Sequence, residues 1–226
     1  MPVFELGRRL LFPPVELAEP EGILAIGGDL STRRLLEAYR RGIFPWYDQP
    51  GGPILWWCPD PRLVLFPSEI HVSKRLDRTI RQGRFEVRFD TAFESVIEAC
   101  ATVYRVGEPG TWLTPEMKAA YIRLHKQGFA QCAEAWCDDR LAGGLYGVRL
   151  GRVFFGESMF HFETDASKVA LVGLIERLRG EGVQVMDCQI TSPHMLRFGA
   201  REIPRREFSR LLIENISVSD LADREP

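Results

Sequence analysis

Three polar residues lie in apolar segments that are typical of β-strands, where their side chains could handle protons. Asp187 and Gln189 lie in the last three residues of the run VQVMDCQ, and Glu157 lies within FFGESMF. Side chains two residues apart on a strand point to the same face. We therefore predict that Asp187 and Gln189 project together, with Met186 and Cys188 on the opposite face. Burying a carboxylate beside an amide is costly unless both are hydrogen-bonded or used in chemistry, and a turn-stabilising Asp187 is the structural alternative.

The same rule places Glu157 and Met159 on one face, if a regular strand runs through both. A carboxylate beside a thioether would make a site that is part anionic and part apolar. The alternative is that Met159 belongs to the core and Glu157 is solvated.

Two tryptophans lie outside the predicted regular elements. Trp46 belongs to the segment FPWY and Trp112 to GTWLT. An indole in a loop can stack on a nucleobase, which contributes about 1–3 kcal/mol per base. The alternative is that each indole closes an edge of the core.

A basic segment runs from Lys74 to Arg88. Five of its cations are candidates for a phosphate-binding patch: Lys74, Arg75, Arg78, Arg81 and Arg84. Lys74, Arg78 and Arg81 follow helical steps of four and three, so they share one helix face. Such a face can neutralise several phosphates and give salt-dependent binding. A solvated helix face is the alternative.

The elements that must position these residues alternate between helices and strands. Cap residues predict helices after Ser31, Ser73 and Thr114, and the first of these carries an apolar stripe that includes Tyr39. Gly173 lies inside the helix of DASKVALVGLIERLRGEG, where its presence predicts close packing. FAQCAEAWCDD, RLAGGLYGVRL and RVFFGESM predict a strand meander, and VQVMDCQ a further strand.

This element order predicts the α+β class, with a mixed sheet flanked by helices. CPDPR is a candidate boundary between a small N-terminal domain, residues 1–60, and a larger domain, 61–226, whose tail (215–226) is predicted to fray. The order is also that of the GNAT acyltransferase fold, although many α+β proteins share it. The run RLRGEG matches an acetyl-CoA-binding motif in letters, but it ends a helix instead of beginning one, so it does not support coenzyme A binding.

Composition excludes several functional classes. The 226 residues carry a net charge of −2, so any binding of nucleic acid must come from a local patch. The five cysteines include no C-x-x-C pair, which indicates free thiols in a reducing compartment and no metal site. There is no apolar run of about 18 residues, and the start of the chain lacks the pattern of a signal peptide. We therefore expect no membrane association and a cytoplasmic location.

The ordered motifs EPEGILAIGGDLS, LLEAYRRGIFPWY, ILWWCPDPR, GTWLTPEM, GGLYGV, FGESMF, ASKVAL, DCQ and GAREIPRREF resemble bacterial leucyl/phenylalanyl-tRNA–protein transferases, from about residue 12 to 212. The resemblance implies a small N-terminal domain followed by a GNAT-like acyltransferase domain. It implies transfer of Leu or Phe, and Met less well, from aminoacyl-tRNA to proteins that begin with Arg or Lys, which creates an N-degron for protein degradation. It implies no cofactor, and a monomer is the default expectation.

The resemblance also implies roles for individual residues. Trp46 and Trp112 would flank the terminal adenosine of the tRNA, and the basic patch would bind its phosphates. The polar site residues would be Glu157, Asp187 and Gln189. The apolar pocket for the aminoacyl side chain would comprise Leu145, Met159, Leu171 and Met186. Leu145 departs from the Met common in the family, and Asp165 replaces a typical Asn while keeping a residue that can cap a helix.

Several alternatives stay open at the level of sequence. Asp187 could accept a proton or only orient Gln189, and a hydroxyl of the tRNA could shuttle the proton instead. Glu157 could hold the aminoacyl ammonium group or the basic side chain of the acceptor. The rival functions are an N-acetyltransferase of the same fold and a non-catalytic binder of tRNA or N-degrons.

Overall fold

A computed structural model describes residues 3–47, 51–103 and 113–221 of the chain. Within these ranges the strands are β1 (Phe4–Leu6), β2 (Ile23–Gly27), β3 (Phe44–Pro45), β4 (Leu55–Trp57), β5 (Arg62–Leu65), β6 (Glu86–Phe89), β7 (Ala130–Cys137), β8 (Arg140–Leu150), β9 (Val153–His161), β10 (Val185–Gln189) and β11 (Arg201–Ile203). The α-helices are α1 (Thr32–Tyr39), α2 (Lys74–Arg81), α3 (Phe93–Thr102), α4 (Pro115–Lys126), α5 (Ala166–Gly180), α6 (Pro193–Leu196) and α7 (Arg205–Asn215). Short 3-10 turns occur at Val15–Leu17, Pro67–Glu69 and Val218–Leu221.

The strands make two sheets. The smaller sheet has the order β1-β2-β4-β3, and the larger has the order β11-β5-β10-β9-β8-β7-β6. In the larger sheet β9 and β10 pair in parallel, while the other neighbouring strands are antiparallel. The structure confirms the predicted mixed sheet flanked by helices and the strand meander.

Helices cover both faces of the larger sheet. One face packs against α1, α3, α4 and α7 in a cluster that we call the first core, which also contains residues of the smaller sheet such as Trp56. The other face packs against α2, α5 and α6 in a cluster that we call the second core. Because the first core is continuous between the two sheets, the smaller sheet shares its interior with the larger one. The domain boundary at residue 60 stays a prediction.

The predicted helix starts are confirmed at three helices. The hydroxyls of Ser31, Ser73 and Thr114 accept backbone N–H groups at the starts of α1, α2 and α4. Helix α5 differs, because Asp165 adopts a left-handed conformation (φ 69°) and makes no capping hydrogen bond. Its carboxylate instead accepts from Lys168 Nζ at 2.6 Å, so the expected capping role is replaced by an ion pair.

Two further expectations concern α5 and the tail. A Cβ on Gly173 would lie 2.9 Å from Val87, which confirms close packing at this glycine. Helix α5 ends at Gly180, so the RLRGEG run does terminate a helix. At the end of α7, Asn215 O accepts from Arg152 N of the β8–β9 turn at 3.0 Å, and after α7 the residues Val218–Leu221 form a 3-10 turn. Residues 222–226 lie outside the described residues.

Gly147 gives a stability prediction. A Cβ here would overlap the carbonyl oxygen of Phe155 and lie 2.6 Å from the ring of Phe154, so Gly147→Ala is expected to lower the free energy of unfolding by about 1–3 kcal/mol or more. Gly180→Ala is the matched control, because its Cβ would meet nothing within 4 Å and alanine is the better helix former. Urea denaturation measures both. Equal stability of the two variants would contradict the packing described at β8 and β9.

Candidate active site

The parallel strands β9 and β10 separate after Phe155 and Asp187, and a bulge lies in the middle of β9 just beyond this point. The β9–β10 pairing runs only as far as Asp187 opposite Phe155. Between β8 and β9 the register shifts, with Tyr146 opposite Ser158 and Gly147 opposite Gly156. Glu157 is therefore the extra residue of a β-bulge, a feature that re-aims a side chain.

The bulge overturns the expectation that Glu157 and Met159 share a face. Glu157 bonds to Tyr39 and Tyr121, which belong to the first core. Met159 packs against the second core, on the opposite side of the sheet. The alternation rule fails because one inserted residue reverses the order of faces along the strand.

Three side chains contact the carboxylate of Glu157. Tyr39 donates to Oε1 at 2.7 Å and Tyr121 donates to Oε2 at 2.7 Å. The two tyrosine hydroxyls also lie 2.6 Å apart. Gln189 Nε2 donates to Oε1 at 3.1 Å. Both tyrosines are buried, while Glu157 and Gln189 are half-buried, so the cluster reaches from the core towards solvent.

Glu157 is set up to exchange a proton near neutral pH. The pKa of its carboxyl is raised to about 7, because burial and the charge of Asp187 raise it by more than the two hydroxyls and Arg62 lower it. Burial also raises the pKa of Tyr39 and of Tyr121 well above the ordinary value. The phenols therefore keep their protons while the carboxyl can gain or lose one.

Asp187 sits in a buried ion pair with Arg62. Arg62 Nε donates to Oδ1 at 2.8 Å and Nη2 donates to Oδ2 at 2.6 Å, and the two residues are 1% and 0% exposed. The guanidinium lies between the rings of Phe44 and Phe208, 4.8 Å from each centroid. Burial would lower the pKa of the Arg62 guanidinium, but the Asp187 carboxylate outweighs it and raises that pKa.

Asp187 also fixes the backbone of Gln189. Its Oδ1 accepts from Gln189 N at 2.9 Å, and Gln189 adopts a positive φ of 60° where the pairing with β5 becomes irregular. Met186 and Cys188 pack against the second core. The predicted division of faces on β10 is therefore confirmed, with Asp187 and Gln189 on the side of Glu157.

The four apolar candidates come together in the second core. Leu145, Leu171 and Met186 are buried, and Met159, opposite Leu145 on the neighbouring strand, packs against them half-buried. A Cβ on Gly156 would lie 2.8 Å from Met186 Cε, so the missing side chain at Gly156 lets Met186 reach the strand next to Glu157. The apolar group and the polar cluster are therefore neighbours on opposite sides of the middle of β9.

Trp46 is partly exposed, and Trp57 supports it. Trp46 lies in the loop after β3 and is 39% exposed. The indole N–H of Trp57 donates to Trp46 O at 2.8 Å, and the two rings lie 5.3 Å apart. Trp112 lies outside the described residues.

The basic patch divides into paired and unpaired cations. All five members are exposed. Arg81 pairs with Asp77 at 3.0 Å and Arg84 pairs with Glu163 at 2.5 Å. For Lys74, Arg75 and Arg78, no carboxylate of residues 3–47, 51–103 and 113–221 lies within ion-pair distance. These three are the members best able to take an external anion.

Sequence reasoning missed three residues of the cluster. Tyr39 reads as part of the apolar stripe of α1, and Tyr121 as an ordinary residue of α4. Arg62 gave one usable signal, because an arginine that opens the apolar strand LVLF needs a buried partner. Nothing local to the sequence indicates that the three converge on β9 and β10.

The described residues contain no group of three or more His, Cys, Asp and Glu side chains that could hold a metal ion. All five cysteines are free thiols. No helix in the described part of the chain is long and apolar enough to cross a membrane.

Two family models match the chain. The model described as "Leucyl/phenylalanyl-tRNA protein transferase" covers residues 64–213, and the model of the N-terminal domain of that transferase covers residues 28–60. The curated transferase of this name from Syntrophobacter fumaroxidans is 57% identical over 216 residues, which span 96% of this chain and 92% of the relative. The one from Anaeromyxobacter sp. is 55% identical and spans 99% and 96%.

The chain therefore belongs to the leucyl/phenylalanyl-tRNA–protein transferase family, as predicted, and is an aminoacyltransferase. Among solved structures it is similar to "L-PGS from Bacillus licheniformis", with a TM-score of 0.40 and 9% identity over 75% of this chain and 54% of the other. A likeness that loose supports no statement about function.

The buried ion pair gives a second stability prediction. Arg62→Met leaves the buried Asp187 carboxylate without its partner, which is expected to cost about 3–5 kcal/mol of unfolding free energy. Arg201→Met is the control, because Arg201 also pairs with a carboxylate, Glu69, and lies over an aromatic ring, but both partners are about half exposed. Its expected cost is at most about 1 kcal/mol. Similar losses in urea titrations of the two variants would contradict a stabilising role for the buried pair.

Proposed function

We propose that this protein transfers leucine or phenylalanine, and methionine less well, from aminoacyl-tRNA to the N-terminal α-amine of proteins that begin with Arg or Lys. The observation that carries the proposal is the cluster of Glu157, Gln189 and Asp187 beside an apolar group, at the bulge of β9 and the end of β10. Family membership supplies the reaction class. The product would be an N-degron that marks the acceptor protein for degradation.

The apolar group is the proposed pocket for the aminoacyl side chain. Leu145, Met159, Leu171 and Met186 offer a flexible apolar lining with two thioethers, which suits side chains as different in shape as Leu and Phe. One methylene changes affinity by about 1–3 kcal/mol, so shape must exclude the β-branched Ile and Val.

The aromatic and basic residues are proposed to hold the tRNA. Trp46 and Trp112 would flank the terminal adenosine, and the exposed ring of Trp46 is supported from behind by Trp57. Lys74, Arg75 and Arg78 would contact phosphates of the acceptor stem, with Arg81 and Arg84 adding charge at the edge.

The chemistry turns an ester into an amide. The α-amine attacks the aminoacyl carbonyl and a ribose hydroxyl leaves, so the amine must be neutral when it attacks. An N-terminal amine has a pKa of about 7.7–8.0, so part of it is neutral at pH 7 and positioning can supply much of the rate.

Asp187 is proposed to orient and not to accept the proton. Both of its oxygens already accept hydrogen bonds from Arg62, and Oδ1 also accepts one from the backbone N–H of Gln189. It thereby fixes Gln189, whose side-chain carbonyl can hold the amine while its NH2 group contacts Glu157. Glu157 is proposed to contact the amino groups of the two substrates, and first of all the ammonium group of the aminoacyl donor.

The fold type, the acyl donor, the cellular location and the oligomeric state complete the proposal. A central parallel pair in a mixed sheet fits a GNAT-like acyltransferase arrangement, and the helix-terminating RLRGEG run argues against acetyl-CoA as donor. The enzyme would need no cofactor, act in the cytoplasm, where aminoacyl-tRNA is made, and work as a monomer.

The decisive assay is transfer of labelled leucine from Leu-tRNA to two proteins that differ only in beginning with Arg or with Ala. Acetyl-CoA serves as the alternative donor. Label on the Arg protein alone, and from tRNA alone, is expected. Acetyl transfer would point to an N-acetyltransferase, and tight tRNA binding without transfer would point to a non-catalytic binder.

The basic patch gives a separate prediction. The triple variant Lys74→Ala/Arg75→Ala/Arg78→Ala is expected to weaken tRNA binding and to reduce the slope of log affinity against log salt by about 0.7–0.9 for each lost phosphate contact. Arg210→Ala on α7 is the control, since Arg210 is equally exposed but lies outside the patch. An unchanged slope in the triple variant would remove the patch from the tRNA interface.

A further inference from the structure

The two carboxyl oxygens of Glu157 and two tyrosine hydroxyls form a ring that the carboxyl carbon of Glu157 closes. The ring consists of Glu157 Oε1, the hydroxyl of Tyr39, the hydroxyl of Tyr121 and Glu157 Oε2. Three close contacts link them, at 2.7, 2.6 and 2.7 Å. At these distances each oxygen pair needs a proton between its members, since bare oxygens repel one another.

The ring needs one proton more than its tyrosines bring. Two phenols supply two protons for three contacts. If Glu157 is ionised and both phenols donate to it, the hydroxyls of Tyr39 and Tyr121 face each other at 2.6 Å without a proton. If one phenol donates to the other instead, the carboxylate loses a donor. Only a proton on Glu157 completes all three hydrogen bonds.

Gln189 sets the direction of the completed ring. Its Nε2 donates to Glu157 Oε1, so Oε1 must remain an acceptor. The extra proton then belongs on Oε2, and the hydrogen bonds run from Oε2 to Tyr121, from Tyr121 to Tyr39, and from Tyr39 to Oε1.

We infer that Glu157 is the group that takes the proton from the attacking amine, and that Tyr39 and Tyr121 are the positioning residues that make a ring for it. This inference rests on the proposed function. The amine nitrogen bonds to the aminoacyl carbon and gives one proton to ionised Glu157, while the bond from that carbon to the ribose oxygen breaks. The departing ribose oxygen takes up one proton, from Glu157 or from water, so the ester and amine become an amide and an alcohol without net change in protons.

The electrostatic surroundings suit this role. The groups that face Glu157 are Tyr39 from α1, Tyr121 from α4, Gln189 and Asp187 from β10, and Arg62 from β5. Together they leave the carboxyl with a pKa of about 7, near that of an N-terminal amine. Proton transfer between groups of matched pKa close to the working pH is the favourable case for general base catalysis.

The first arm of the test needs no tRNA. An amide at position 157 can donate through its NH2 to one phenol and accept through its oxygen from the other, so Glu157→Gln completes the ring without a proton. The wild-type carboxyl has a folded pKa above its ordinary value, so its contribution to stability is lost as pH rises from about 4.5 to 7. The Tm of Glu157→Gln is therefore expected to exceed that of the wild type by about 2–4 °C or more at pH 8, with a smaller gap at pH 5. A Tm below that of the wild type at both pH values would overturn the ring.

The second arm is the pH profile of single-turnover leucine transfer to an Arg-initiated acceptor. In Tyr39→Phe and in Tyr121→Phe the contact between the two hydroxyls is gone, so ionisation of Glu157 no longer leaves an oxygen pair without a proton. This gain is expected to outweigh the loss of one hydrogen bond to the carboxylate, which by itself would raise the pKa. The acidic limb assigned to Glu157 is expected to move down by about 0.5–1 pH unit, the value of one hydrogen bond. Tyr47→Phe is the control, because it removes another buried hydroxyl, 3.3 Å from Thr114, without touching the ring.

Each outcome of the second arm decides a point. An upward shift in both ring variants would mean that the phenols only donate to an ionised carboxylate, and no shift would mean that they do not control Glu157. Either result overturns the inference. The Tm of Glu157→Gln could exceed that of the wild type as expected while the wild type transfers no leucine. That result would overturn the proposed function and leave the proton count of the ring intact.

Discussion

The buried ion pair between Arg62 and Asp187 is the interaction on which the rest of the site depends. It joins the neighbouring strands β5 and β10 of the larger sheet, and its guanidinium contacts the rings of Phe44 of the smaller sheet and Phe208 of α7. A buried charge is tolerated only with a partner and donors in good geometry. One contact therefore ties three parts of the chain together and fixes the backbone of Gln189.

The second constraint is the bulge at Glu157. Without the inserted residue, regular alternation would place this carboxylate and Met159 on one face, and the polar and apolar halves of the site would compete for the same space. The bulge sends Glu157 towards the phenols of the first core and leaves Met159 with the second core. The polar cluster and the apolar group then lie on opposite faces of the sheet. Gly156, before the bulge, keeps them adjacent because it has no side chain to displace Met186.

Neighbouring groups explain why Glu157 differs from Asp187 although both are carboxylates within the same cluster. Asp187 faces a guanidinium that matches its charge and geometry, so its oxygens are committed to holding structure. Glu157 faces neutral phenols and an amide, which stabilise either protonation state, and burial raises its pKa to about 7. Two similar side chains thus acquire an orienting and a proton-exchanging character from their neighbours alone.

The sequence by itself determined the local features: the capped helices, the strand meander, the faces of β10 and, through ordered motifs, the family. These follow from short-range rules, because caps, glycines and alternation act within a few residues. Only the tertiary structure decided that Tyr39, Arg62 and Tyr121 belong to the site, and that Glu157 leaves the face of Met159. These facts arise from contacts between residues 36 to 125 positions apart and from a bulge defined by the neighbouring strand, neither of which a local pattern encodes.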